Sequence, residues 1–119
     1  MANPFVHVEL QSKDREASKK FYEGLFDWKL DDVPGMDYTM IGVGEGTGGG
    51  IMTSPMPEAP SAWLSYVLVD DVTACTKKAK SLGAHVVKDV TAIPNYGRFS
   101  IIADPFGAVL GLWQPAARK

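Results

Sequence analysis

The chain has 119 residues, 45% hydrophobic and 22% charged, with a formal net charge of −2. That balance is ordinary for one globular domain, and the slight acidity excludes nucleic acid as an expected partner, because a phosphate backbone wants a basic face. The single cysteine forms no internal disulfide, the N-terminus lacks the basic start and apolar stretch of a secretory signal, and no run approaches the ~20 apolar residues of a membrane span, so a cytoplasmic protein without a membrane partner is expected.

Residues 5–10 read as a strand, with Phe5, His7 and Glu9 on one face and Val6, Val8 and Leu10 on the other. Ser12 or Asp14 can cap the following helix, and Glu16 suits its positive first turn. Ala17, Phe21 and Leu25 recur four apart and predict its buried stripe. Strands follow at 28–33 and 38–43, joined by the Pro34-Gly35 turn, and a short one at 51–53. The glycine-rich stretch 42–50 lacks the Lys-Ser/Thr of a phosphate loop and no helix follows it, so it reads as a hairpin turn. Pro55, Pro57 and Pro60 make a stiff linker.

The second half repeats this order. Residues 63–69 predict a strand and Asp71 a helix cap; Val72, Cys75, Ala79 and Leu82 form an apolar stripe that stops at Gly83. Strands are predicted at 84–87, 97–103 and 109–113, with a turn at Asp104-Pro-Phe-Gly107. A constant 57-residue offset aligns Asp14 with Asp71, Ala17 with Ala74, Lys20 with Lys77, Leu25 with Leu82 and Gly50 with Gly107. The expected fold is therefore α+β: a single domain of two βαβββ modules in tandem, about 1–56 and about 61–116, forming a curved mixed sheet around a cavity. Cys75 reads as an inert core thiol and His85 as a surface residue.

Several motifs carry a resemblance over nearly the whole chain. They are His7-Val-Glu-Leu10 before Asp14, Phe21-Tyr22 with Gly24-Leu-Phe-Asp-Trp28, Tyr66-Val-Leu-Val-Asp-Asp-Val72, Leu82-Gly-Ala84, Gly97-Arg-Phe99, Asp104-Pro-Phe-Gly107 and Leu112-Trp-Gln-Pro115. Together they resemble the vicinal oxygen chelate superfamily, also called the glyoxalase/bleomycin-resistance/dioxygenase superfamily. The subgroup they look closest to is the single-domain one related to lactoylglutathione lyase.

The resemblance implies metal ligands, usually His, Glu or Gln, on the first and last strand of each half. Carried onto this chain, the first-strand positions are His7 and Leu64. The last-strand positions are Gly111 and, by the 57-residue offset, Ser54 to within a residue or two. Leu64 and Gly111 offer no donor side chain and a neutral serine hydroxyl is a poor ligand, so His7 is the one metal candidate. Glu9 would add a carboxylate, but a His-Glu pair falls short of the three or four protein ligands expected. No cofactor is expected, and a divalent metal belongs to the alternative reading.

Glu9 is the candidate catalytic residue, because a carboxylate turned into a cavity is costly unless paired or wet and can serve as a base. His7, Glu9, Tyr66, Trp113 and Arg98 are the candidate ligand-binding residues. Tyr66 shares a strand face with Leu64 and Leu68, Trp113 shares one with Val109 and Gly111, and Arg98 could clamp a carboxylate or phosphate. Each has a plain structural reading beside it: His7 bonded to Glu9 or a neighbouring strand, Tyr66 and Trp113 as sheet core, Arg98 as an exposed rim residue. The expected function is binding of a small organic molecule in an aromatic-lined cavity by a homodimer without a family-type metal. The alternative is a metal-dependent lyase or isomerase related to lactoylglutathione lyase.

Overall fold

A computed structural model describes residues 2–56 and 58–117; Pro57, one of the three linker prolines, lies outside them. The element order is β1 (Phe5–Ser12), α1 (Arg15–Leu25), β2 (Lys29–Asp32), β3 (Tyr38–Gly42), β4 (Gly49–Thr53), β5 (Ala62–Leu68), α2 (Val72–Ser81), β6 (His85–Ile93), β7 (Gly97–Ala103) and β8 (Val109–Pro115). This is α+β, with βαβββ occurring twice. No helix among the described residues is long and apolar enough to cross a membrane.

Both helices start where the sequence places them. Asp14 and Asp71 are extended N-caps whose carboxylates accept the amides of Ala17 and Ala74 at 3.0 Å. At the end of α2, Gly83 takes a positive φ of 103°, its amide reaches the Lys80 carbonyl and that of Ala84 reaches Ala79, a Schellman closure.

The chain divides into two compact units, His7–Leu64, and the N-terminal segment through Val6 together with the chain from Ser65 onward. These limits differ from the module limits read at the proline linker. The N-terminal segment goes with the later chain because Asn3 donates to the Leu68 carbonyl at 2.8 Å and the Leu68 amide donates to Pro4 at 2.9 Å. In the first unit the strand order is β2-β3-β4-β1, with β1 and β4 parallel and the rest antiparallel. Leu10, Ile41 and Ile51 form its core, with Tyr22, Trp28, Leu30 and Val43 packed against them. In the second unit the order is β5-β8-β7-β6, with β5 and β8 parallel. Its core is Val69, Val72 and Leu112, flanked by Cys75, Val90, Ile102 and Leu110.

Four local expectations need correction. The Ala17–Phe21–Leu25 stripe of α1 is not buried: Phe21 is 60% and Leu25 56% exposed, while Ser18 and Tyr22 are half-buried on the inward side. The sheet surface under the start of α1 is polar. Ser12 bonds the Ser18 hydroxyl at 2.6 Å, and Arg15 reaches Thr39, Asp32 and Asp37 at 2.7, 3.2 and 2.7 Å. The start of the helix therefore meets the sheet through polar side chains, and Tyr22 packs on the apolar core further along. Leu82, read as buried in α2, is 70% exposed because it is the C-cap. Finally, β6 is nine residues long, with two register shifts, where a four-residue strand was expected, and β4 begins at Gly49 instead of Ile51.

The longer β6–β7 hairpin also breaks the 57-residue offset. Glu9 pairs with Gly50 and Tyr66 with Gly111, so Gly50, not Ser54 and not the partner of Gly107, is the counterpart of Gly111. Ser54 lies beyond β4, where its hydroxyl bonds the Met56 carbonyl and accepts the Met56 amide.

Candidate functional site

Alternation along β1 turns Leu10 toward the core beneath α1 and His7, Glu9 and Gln11 toward the opposite face. Cross-strand register adds Gly50 and Met52 from β4 and Tyr38 and Met40 from β3 to that face. His7 Nε2 and Tyr38 Oη meet at 2.5 Å, with the two rings 6.2 Å apart and within 20° of parallel. Glu9, only 6% exposed, accepts a 3.1 Å hydrogen bond from the Gln11 amide. Burial pushes the His7 imidazole below its ordinary value, and the neighbouring Glu9 carboxylate pulls it partly back. This favours the neutral imidazole, which is joined to a phenol and close to a carboxylate. Such a row can donate to or accept from an oxygen-bearing ligand and can move a proton.

Sequence reasoning brought His7 and Glu9 together correctly on one strand face and missed Tyr38 as the partner of His7. The signal available was Gly50. It sits inside a strand, where glycine is disfavoured, without the positive φ that would demand it. A Cβ there would overlap the Tyr38 ring.

In the second unit, the face turned away from α2 carries Tyr66, Gly111, Phe99 and Trp113. Tyr66 is buried, its ring lies directly over Gly111, and it meets Phe99 edge-on at 6.2 Å. Trp113 pairs with Phe99 and covers Gly97, where a Cβ would stand 2.8 Å from its ring. The structure thus brings Tyr66 and Trp113 into one aromatic row. Arg98 does not join that row. One residue from Phe99, it faces the other way, is exposed, and donates to the Thr73 hydroxyl of α2 at 3.3 Å.

The donor set can be tested against a divalent ion. Of the positions the family would use, His7 alone presents a ligating side chain; Leu64 and Gly111 carry none, and register replaces Ser54 by Gly50. Among the described residues no three His, Cys, Asp or Glu side chains gather as a metal-holding group. These positions supply one donor side chain, His7, where a metal centre uses three or four.

A model of the Glyoxalase/Bleomycin resistance protein/Dioxygenase superfamily matches residues 5–112. The chain is 33% identical over 114 residues to the "Putative glyoxylase CFP32" of Mycobacterium tuberculosis (strain CDC 1551 / Oshkosh), covering 93% of this chain and 44% of that protein. It is 28% identical over 123 residues to the "Anthracycline biosynthesis protein DnrV" of Streptomyces peucetius, covering 89% and 45% respectively. The chain therefore spans less than half the length of these curated relatives. Among solved structures it is similar to methylmalonyl-CoA epimerase from Mycobacterium tuberculosis, with a TM-score of 0.73 at 17% identity over 95% of this chain and 88% of that one. At that identity the likeness is one of fold.

Proposed function

Because the chain belongs to the glyoxalase/bleomycin resistance protein/dioxygenase superfamily, we propose that it binds a small organic molecule without a family-type metal, using the His7 row of its first unit. The observation that carries this reading is the His7–Tyr38 hydrogen bond beside a buried carboxylate, on a strand where the family would hold an ion. Polar groups of this kind fix a ligand's orientation while apolar neighbours supply contact area. Met40 and Met52 supply it on the same face. In the second unit, Tyr66 and Trp113 offer flat surface for stacking. Arg98 has no part in this reading.

The test uses an anthracycline as a fluorescent probe, chosen because two of the relatives are named for anthracycline biosynthesis. Chelator-treated protein is expected to quench it saturably at one probe per chain. His7→Ala and Glu9→Gln should each weaken binding about tenfold. Absence of saturable binding to the metal-free protein overturns the reading.

A lyase or isomerase is the second reading, favoured by the acid-base character of the His7–Tyr38–Glu9 row and by the glyoxylase name of the 33% identical relative. Metal-stimulated turnover of a hemithioacetal, lost in Glu9→Gln, would establish it over the first.

A further inference from the structure

Tyr38 reaches His7 across an intervening strand. β4 lies between β3 and β1, and Tyr38 stands opposite Met52, not opposite Gly50. Adjacent strands are roughly 4.8 Å apart, so the two side chains together bridge two strand spacings and meet over β4. The phenol lies flat over β4 at Gly50, where an added Cβ would fall on the Oη, Cζ and Cε2 atoms of the ring. Glycine in a strand gives up side-chain packing and backbone entropy, and it marks places where another group comes close. Gly50 does not have the positive φ that would explain it otherwise.

Resting on the reading that the His7 row is a ligand site, we propose that Gly50 is its positioning residue: the bare Cα lets the Tyr38 ring cross β4 and clasp His7, so that phenol and imidazole meet the ligand as one hydrogen-bonding pair. The pair suits an organic ligand carrying a hydroxyl or carbonyl oxygen. With the phenol donating to Nε2, Oη still accepts from a ligand hydroxyl; with Nε2 donating to Oη, the phenol proton turns to a ligand carbonyl. A charged ion is not needed for either arrangement.

The experiment follows the side-chain nitrogens of His7 by 15N NMR on the full chain. The protein has two histidines, so the His7 signals are identified by their loss in His7→Gln. Tyr38→Phe, which keeps the ring and removes the hydroxyl, is expected to move the Nε2 resonance. Gly50→Ala should move it in the same direction, and Tyr38→Phe/Gly50→Ala no further than the larger single change. If Gly50→Ala alone fails to fold, Tyr38→Ala/Gly50→Ala decides: recovery of the fold identifies the ring as the obstacle, and failure to recover overturns the proposal. An unmoved resonance in folded Gly50→Ala, or additive shifts, also overturns it. The anthracycline titration adds the ligand arm: Tyr38→Phe and Gly50→Ala should weaken binding by a similar factor, about tenfold, and unchanged affinity in both overturns the pair's role toward ligand. If the unmodified protein binds no anthracycline, the ligand reading fails, and the NMR shifts alone decide whether Gly50 positions Tyr38.

Discussion

His7 ties its strand to pH. Burial lowers its proton affinity in the folded state, with Glu9 opposing in part, whereas the unfolded chain titrates near the ordinary value of about 6.5. Below that value the unfolded chain holds the extra proton before the folded one does, so stability falls as pH drops from about 6.5 through the lowered folded value. Urea midpoints at pH 7.5 and 5.5 should therefore separate more for the unmodified protein than for His7→Gln, and equal separations would remove His7 as the cause. Alternation along β1 made the shared face of His7 and Glu9 legible in the sequence. The Tyr38 contact was not legible, because it depends on two registers and on a bare Cα three strands into the sheet. For Arg98 the sequence left an anion clamp and an exposed rim residue open; its parity along β7 turns it toward α2, where it is exposed.

At the scale of elements, caps and turns were read well and faces less well. Asp14, Asp71, Gly83 and the Asp104 turn act locally, within a few residues, and local rules found them. The inward face of α1 depends on what lies beneath it. The Thr39 hydroxyl, wholly buried, accepts from Arg15 and donates to Asp32 at 2.7 Å, and Lys19 reaches Asp32 at 2.9 Å. Thr39 first, then Lys19, hold the Asp32 carboxyl below its usual range. Asp32 and Asp37 are more than half exposed, so the ion pairs themselves contribute little, and the bond to the buried hydroxyl matters more. Arg15→Ala is expected to cost about 1 kcal/mol in urea unfolding and Lys19→Ala about half that or less. A larger loss from Lys19 than from Arg15 would contradict this ranking.

For the molecule as a whole, the repeated βαβββ order was evident from the 57-residue offset and the two aspartate caps. The unit limits were not, because the proline linker is a boundary of composition while packing assigns the chain by hydrogen bonds made far away in sequence. A fragment beginning at Ser61 would lack Asn3 and Pro4, the partners of Leu68. It is expected to show no cooperative urea transition where the full chain should show one, and cooperative folding of residues 61–119 alone would refute the assignment.

The tyrosine over Gly50 has no double in the repeat. Register makes Phe99 the counterpart of Tyr38, as Trp113 is of Met52, and the ring covering Gly111 comes instead from Tyr66 on β5. The hydroxyl that meets His7 is therefore without redundancy. One nucleotide separates the codons of tyrosine and phenylalanine, so a single mutational step at this position would leave both halves with the same residue and no spare to take over.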